Sequence, residues 1–269
     1  MAVDKTRAIV IRAVPFGETS SVVTLYCRNL GKLRALAKGA WRPKSGFDGA
    51  LDLLSTCEVL VLRRSAGGLD LLTEACLEAR FRVGGSLVAF LGGMHLAELV
   101  DALTAEADPQ PELFDVVHAS LRELSAPAGS PPAAAPADRD EDRVQQLLVR
   151  TELAALRLVG HLPELGACAN CRGPLPAVGR TAFGMLDGGT LCQRCRGGRR
   201  AVVALSRGGL EALRGLATAA GAPACPDHWG EVRSVMSTYL AHLLGRPLRV
   251  AGRLQPRSAA AAGRPRPTP

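Results

Sequence analysis

At 269 residues, nearly half of them apolar, the chain is long enough for two compact units with their own cores, which excludes a small disulfide-stapled module and a disordered solvating segment. Its net charge of +8, from 33 basic against 25 acidic residues, matters less than its distribution, since much of the excess sits in the C-terminal tail. No apolar run of about eighteen residues occurs, and charges interrupt the opening MAVDKTRAIVIRAV, so neither a membrane span nor export is expected; the expected location is the cytoplasm.

Five strand-like segments fill the first eighty residues, at about 6–14, 20–28, 32–40, 52–64 and 68–79, separated by Gly, Pro or Ser. Five short strands fit an OB-type barrel, and an SH3-like barrel would read similarly from the pattern alone. Between Glu18 and Asp48 the chain carries no acidic residue, yet it places Arg28, Lys32, Arg34, Lys38, Arg42 and Lys44 there. Alternation along a strand puts Lys32, Arg34, Leu36 and Lys38 on one face and Leu33, Ala35 and Ala37 on the other. Uncompensated cations beside Tyr26, Trp41 and Phe47 suit a nucleic-acid strand: the cations displace counterions from phosphates and aromatic faces stack on bases.

From about Ser86 the apolar period becomes helical, through Leu87, Leu91, Met94, Leu96, Leu99, Val100 and Leu103, until Asp108-Pro109 breaks it. A second helix is expected at about 112–124. The segment SAPAGSPPAAAPADRDED, about 125–142, has no such period and reads as a flexible loop. Further helices are expected at about 143–161, 206–219 and 228–244, with Ser206 and Asp227 as N-caps and Gly160 and Gly245 as terminators. The last acidic residue is Glu231; seven arginines follow it, and the stretch 246–269 reads as a disordered basic tail.

Four of the eight cysteines form two CxxC pairs, Cys168/Cys171 and Cys192/Cys195, with twenty residues between them. Two such knuckles suit four thiolates around one Zn²⁺; a redox CxxC needs only one pair. The glycine two residues after each pair, Gly173 and Gly197, is expected to relieve the tight turn. Four cysteine ligands leave no open coordination position, so the expected ion is structural. Arg172, Arg180, Arg194, Arg196, Arg199 and Arg200 surround this loop, about 166–200, with only Asp187 to offset them; they either lengthen a phosphate track or compensate the thiolates. Cys27, Cys57, Cys76 and Cys225 read as small core residues or incidental ones. There is no Walker A sequence, HExxH, GxSxG or paired-carboxylate cluster, and the five histidines are scattered, so an enzyme is not expected.

Gly17-Glu18, VVTLYCRNLGKLRALAKGAWRPKS (22–45), the Gly67-Gly68-Leu69 turn before LLTEACLEARF, HLAELVDALTAEADPQPELFDVV (95–117) and the paired cysteines together resemble the bacterial RecO family of recombination mediators. AKGA-x-RPKS is the most specific part; Trp41-Arg42 stands where family members often have two basic residues. The resemblance favours the OB-fold and implies an α+β chain: an OB-fold DNA-binding domain at 1–80, then a helical domain at 81–245 with an inserted four-cysteine zinc loop. It implies a DNA repair and recombination mediator that binds single- and double-stranded DNA, anneals complementary strands and, with RecR, promotes RecA loading on strands coated by single-strand-binding protein. Such a protein acts at the nucleoid. The helical domain would dock protein partners, including the acidic, hydrophobic tail of single-strand-binding protein. A zinc-containing OB-fold RNA-binding protein is the alternative, separable by 2′-hydroxyl preference. The expected DNA contacts are Lys32, Arg34, Lys38, Arg42 and Lys44, with Arg28 and Trp41 behind them.

Overall fold

A computed structural model describes residues 2–43, 45–47, 49–64, 68–125, 137–218 and 228–254. They fall into two compact units, within Met1–Ala134 and Ala135–Pro269.

The first unit opens with β1 (Ala2–Phe16), β2 (Ser20–Cys27), β3 (Gly31–Ala37), β4 (Thr56–Arg63) and β5 (Asp70–Ala79). They close into a barrel of order β1-β2-β3-β5-β4, all pairings antiparallel except β3 with β5, and this Greek-key order decides for the OB architecture. The long β1 serves both sides: Ala2–Ile9 pairs with β4, Ala8–Phe16 with β2, and a bulge between Val10 and Arg12 bends the strand between the two partners. Alternation holds where it was expected: Leu33, Ala35 and Ala37 point into the core with Val10, Val23, Leu25, Val59 and Leu72. Each of these leucines and valines contributes on the order of 2 kcal/mol by leaving water. The fourth strand begins at Thr56, later than its pattern suggested. Phe47, Ala50 and Leu51 in the preceding turns pack into the barrel core instead.

Two helices complete this unit. In α1 (Leu87–Leu103) the Ser86 side chain accepts from Ala89 N at 3.3 Å. In α2 (Pro111–Leu124) proline starts the helix, and Leu113, Phe114, Val117, Leu121 and Leu124 form its buried stripe. The connector between them docks on the β2–β3 turn, where Ala107 N donates to Lys32 O at 2.8 Å. Gly31 makes this possible: its φ is +70°, and a Cβ there would lie 2.4 Å from Asp108 O.

The second unit holds α3 (Ala137–Leu158), a three-stranded sheet β7-β6-β8 (β6 Thr181–Gly184, β7 Gly189–Leu191, β8 Val202–Leu205), α4 (Arg207–Ala217) and α5 (Trp229–Leu244). Ser206 caps α4 through Gly209 N at 3.0 Å, and α5 ends at Gly245 with φ 69°. Gly160 likewise follows α3 with φ 78°. The N-cap expected at Asp227 lies outside the described residues, as do Cys225 and 255–269 of the basic tail; His228 stands at the cap position. Helix α3 starts at Ala137, inside the stretch read as loop, whose residues 126–136 lie outside the described set. Within the helical core Arg233, 1% exposed, places Nη1 2.7 and 2.8 Å from the two oxygens of fully buried Glu152, joining α5 to α3.

Candidate nucleic-acid interface and metal centre

The cationic strand divides in two. Across the barrel's outer face the register aligns Ile9–Tyr26–Lys32 in one row and Arg12–Thr24–Arg34 in the next. The first row lies under the helices: Tyr26 is fully buried, its ring centroid 5.8 Å from that of Phe114 on α2. Lys32 is only 9% exposed, its Nζ donating to Asp101 O at 2.6 Å and Asp101 Oδ1 at 3.0 Å. Arg28 forms a two-pronged pair with Asp115, Nε and Nη2 each 2.8 Å from a carboxylate oxygen. Those hydrogen bonds hold the Asp115 carboxyl below the ordinary aspartate value. The expectation of an uncompensated cation therefore does not hold at Lys32 or Arg28, because α1 and α2 bring carboxylates that the local sequence lacks.

Arg34, Lys38 and Arg42 are exposed and form no ion pair among the described residues, and Arg12 joins them. Lys44 lies outside the described residues. Arg34 also lines a cavity of about 490 Å³ with Lys32, Arg63, Arg64, Asp70 and Glu106, where Arg63 is paired to Asp70 at 3.0 Å. Of the three aromatics read as flanking the cations, only Trp41 faces solvent; Tyr26 packs beneath α2 and Phe47 fills the barrel.

In the second unit the sulfurs of Cys168, Cys171, Cys192 and Cys195 all lie within 4.8 Å of one another, a set that can hold one metal ion. The two knuckles meet because β6 pairs with both β7 and β8, folding the second CxxC back against the first, and Ala169 N donates to Thr190 O at 2.7 Å. Burial pushes the Cys168 thiol up, but N–H groups of Cys192, Cys171 and Asn170 aimed at its sulfur outweigh that and bring it to about 6; Cys192 is lowered, first by the N–H of Cys195. Such polarised sulfurs fit a thiophilic cation. The turn glycines act differently from expectation. The left-handed position of the first knuckle is Arg172, φ 59°, while Gly173 is small because a Cβ would press to 3.3 Å on Cys171 Sγ. In the second knuckle the left-handed residue is Gly198, φ +71°, and a Cβ on Gly197 would meet nothing.

The family model Recombination protein O N terminal matches residues 1–81, and Recombination protein O C terminal matches residues 85–251. The chain belongs to the RecO family. It is 37% identical to the DNA repair protein RecO of Rhodopirellula baltica over 213 residues, covering 78% of this chain and 74% of the relative. It is 35% identical over 253 residues to that of Anaeromyxobacter sp. strain K (91% and 92% covered), and 30% over 243 residues to that of Myxococcus xanthus (90% and 93%).

Two features of this RecO-family chain escaped the sequence reading. Phe16, 57% exposed at the end of β1, was not singled out, although its place before Gly17-Glu18 at a strand end marks it as outward. The arginines around the cysteines are better compensated than Asp187 alone allows: Arg172 pairs with Glu164, Arg180 with Glu231 and Arg199 with Asp187. Arg194, Arg196 and Arg200 have no ion pair among the described residues. No helix among the described residues is long and apolar enough to cross a membrane.

Proposed function

We propose that this protein is a DNA repair and recombination mediator that grips nucleic acid through the outer face of its barrel. The observation that carries the reading is the group Arg34, Lys38 and Arg42, exposed and without carboxylate partners among the described residues, on a closed OB-type barrel. Membership of the RecO family and the name DNA repair protein RecO on its relatives support it. In this reading Arg34, Lys38, Arg42 and Lys44 neutralise phosphates, and Trp41 offers a ring to bases. Lys32 and Arg28 contribute indirectly, by fastening α1 and α2 to the barrel.

Annealing requires a cationic surface that screens two strands from each other while leaving base edges free, and contacts confined to phosphates do that. The protein binds single- and double-stranded DNA, anneals complements and works with RecR to load RecA on strands coated by single-strand-binding protein, in the cytoplasm at the nucleoid. The four cysteines hold one structural Zn²⁺, which supplies folding free energy to a sheet of three- and four-residue strands too small to stand on its own core.

The deciding experiment is annealing of complementary strands precoated with single-strand-binding protein, across a salt series. Annealing that falls steeply with salt and is lost on charge reversal of Lys38 and Arg42 supports the proposal. Annealing indifferent to both overturns it, and a marked preference for RNA strands would point to an RNA-binding role instead.

A further inference from the structure

The four sulfurs of the cysteine cluster are not equivalent. Cys168 and Cys192 are buried and Cys195 is half-buried, whereas Cys171 is exposed. N–H groups are aimed at three of them: those of Cys192, Cys171 and Asn170 at Cys168, that of Cys195 at Cys192, and the Asn170 side-chain amide at Cys195 Sγ, with Nδ2 3.3 Å away. Each such bond draws charge from its sulfur and makes it a poorer nucleophile. Solvent meets the cluster first at Cys171, and Cys171 Sγ lies 3.7 Å from Cys192 Sγ, across the two knuckles rather than along either one. Arg194 and Arg196 flank Cys195 in the chain, and with Arg200 they have no ion pair among the described residues. That is the electropositive, partly open setting in which thiolates react.

With its coordination sphere closed, such a centre offers a reagent its sulfurs and not its metal. We propose that Cys171 is an oxidation site for hydroperoxides, with Cys192 as the sulfur that resolves it into a disulfide. The inference rests on the zinc reading above and adds to it a regulated release of the ion. The Cys171 sulfur attacks one oxygen of hydrogen peroxide, the O–O bond breaks and hydroxide leaves; the Cys192 sulfur then attacks the resulting sulfenic acid, the S–O bond breaks and a second hydroxide leaves. Two thiolates have lost two electrons in forming one S–S bond, and the peroxide has gained them, becoming two waters once solvent supplies two protons. Cys168 and Cys195 alone then remain as ligands, half of what a structural zinc site needs. The covalent bridge takes over the joining of the knuckles, 21 residues apart, and exchange with a small thiol restores the cluster.

The test uses the full-length protein loaded with zinc and treated with excess hydrogen peroxide, zinc release being followed with a chromogenic chelator. One equivalent of zinc should be released per chain, non-reducing peptide mapping should find Cys171 bonded to Cys192, and thiol reductant with added zinc should reverse both. Cys171→His and Cys195→His each keep four ligand groups that zinc accepts, but Cys171→His should slow the release about tenfold or more while Cys195→His stays within about threefold of wild type. If Cys171→His releases zinc as fast as wild type, or the mapped bond omits Cys171, the oxidation site is wrong while one zinc per untreated chain still upholds the metal reading. Zinc that stays bound through peroxide treatment likewise overturns the proposal. If the untreated protein holds no zinc, both readings fail. Should a histidine variant lose its zinc, the peptide map of the wild type decides alone.

Discussion

Lys32 on β3 and Asp101 on α1 are joined twice, through the carboxylate and through the backbone oxygen at 2.6 Å. The pair reaches from the barrel to a helix 69 residues on. Lys32→Met should therefore cost the first unit about 1–3 kcal/mol in denaturant unfolding, mainly by stranding polar groups of α1. Its effect on the salt slope of DNA binding should be negligible, since the ammonium is already partnered. A slope reduced as much as by Arg34→Gln would show that Lys32 leaves Asp101 for phosphate.

Neutralising Arg34, Lys38 or Arg42 is expected to act differently. Arg34→Gln, Lys38→Gln and Arg42→Gln should each lower the slope of log affinity against log salt for a single strand by about 0.7, with additive effects and no change in unfolding midpoint. Fluorescence titrations at several salt concentrations measure this. A triple variant with the wild-type slope would place the contact elsewhere.

The Arg233–Glu152 pair lies wholly inside the second unit, with Arg233 Nε and Nη2 lacking hydrogen-bond partners among the described residues. Glu152→Gln should destabilise this unit by about 3–5 kcal/mol, because it leaves a buried guanidinium uncompensated. Replacing both residues, Arg233→Met with Glu152→Leu, should recover most of that loss. A double-mutant cycle by chemical denaturation gives both numbers.

Stripping metal from the cysteine cluster should remove hydrogen-exchange protection from β6, β7 and β8 while the barrel retains its own. The apparent binding free energy of such structural sites is on the order of 10 kcal/mol, far more than a three-stranded sheet of this size draws from its core. One equivalent of zinc released per chain, with four thiols becoming reactive, is the expected stoichiometry. Unchanged protection after complete release would mean the sheet stands without the ion.

Burial pushes the Glu231 carboxyl up, but the Ser206 hydroxyl and backbone N–H, together with the Arg180 guanidinium, hold it below the ordinary glutamate value of 4.5. A lowered carboxylate stabilises the fold above that value, and the contribution disappears as pH falls through its folded-state value. Glu231→Gln should thus be less stable than wild type by about 1–2 kcal/mol at neutral pH. The gap should narrow below pH 4.5 at equal metal loading, as followed by thermal unfolding across pH.

Much of this was readable in the chain because periodicity reports burial directly. Leu33, Ala35 and Ala37 announce the inner face of β3, and the CxxC spacing announces the cysteine cluster. What stayed hidden depends on distant sequence. Asp115 lies 87 residues from the Arg28 it neutralises, and Glu231 lies 51 from Arg180, so charge counted over a local window overstates the free cations. Strands of three and four residues, such as β7 and β6, are too short to show a period against a background of Gly and Arg. Phe47 sits in a turn, where no alternation tells core from surface.

The pairing of β1 with both β2 and β4 has a consequence for recruitment. Where Ala35–Ala37 of β3 meet Asp70–Leu72 of β5 the ring closes, and along that seam the amides and carbonyls of the described residues are spent within the barrel, so strand addition finds no outermost strand there. Whatever meets that seam is chosen by side chains, and can be retuned by single substitutions without touching the backbone scaffold.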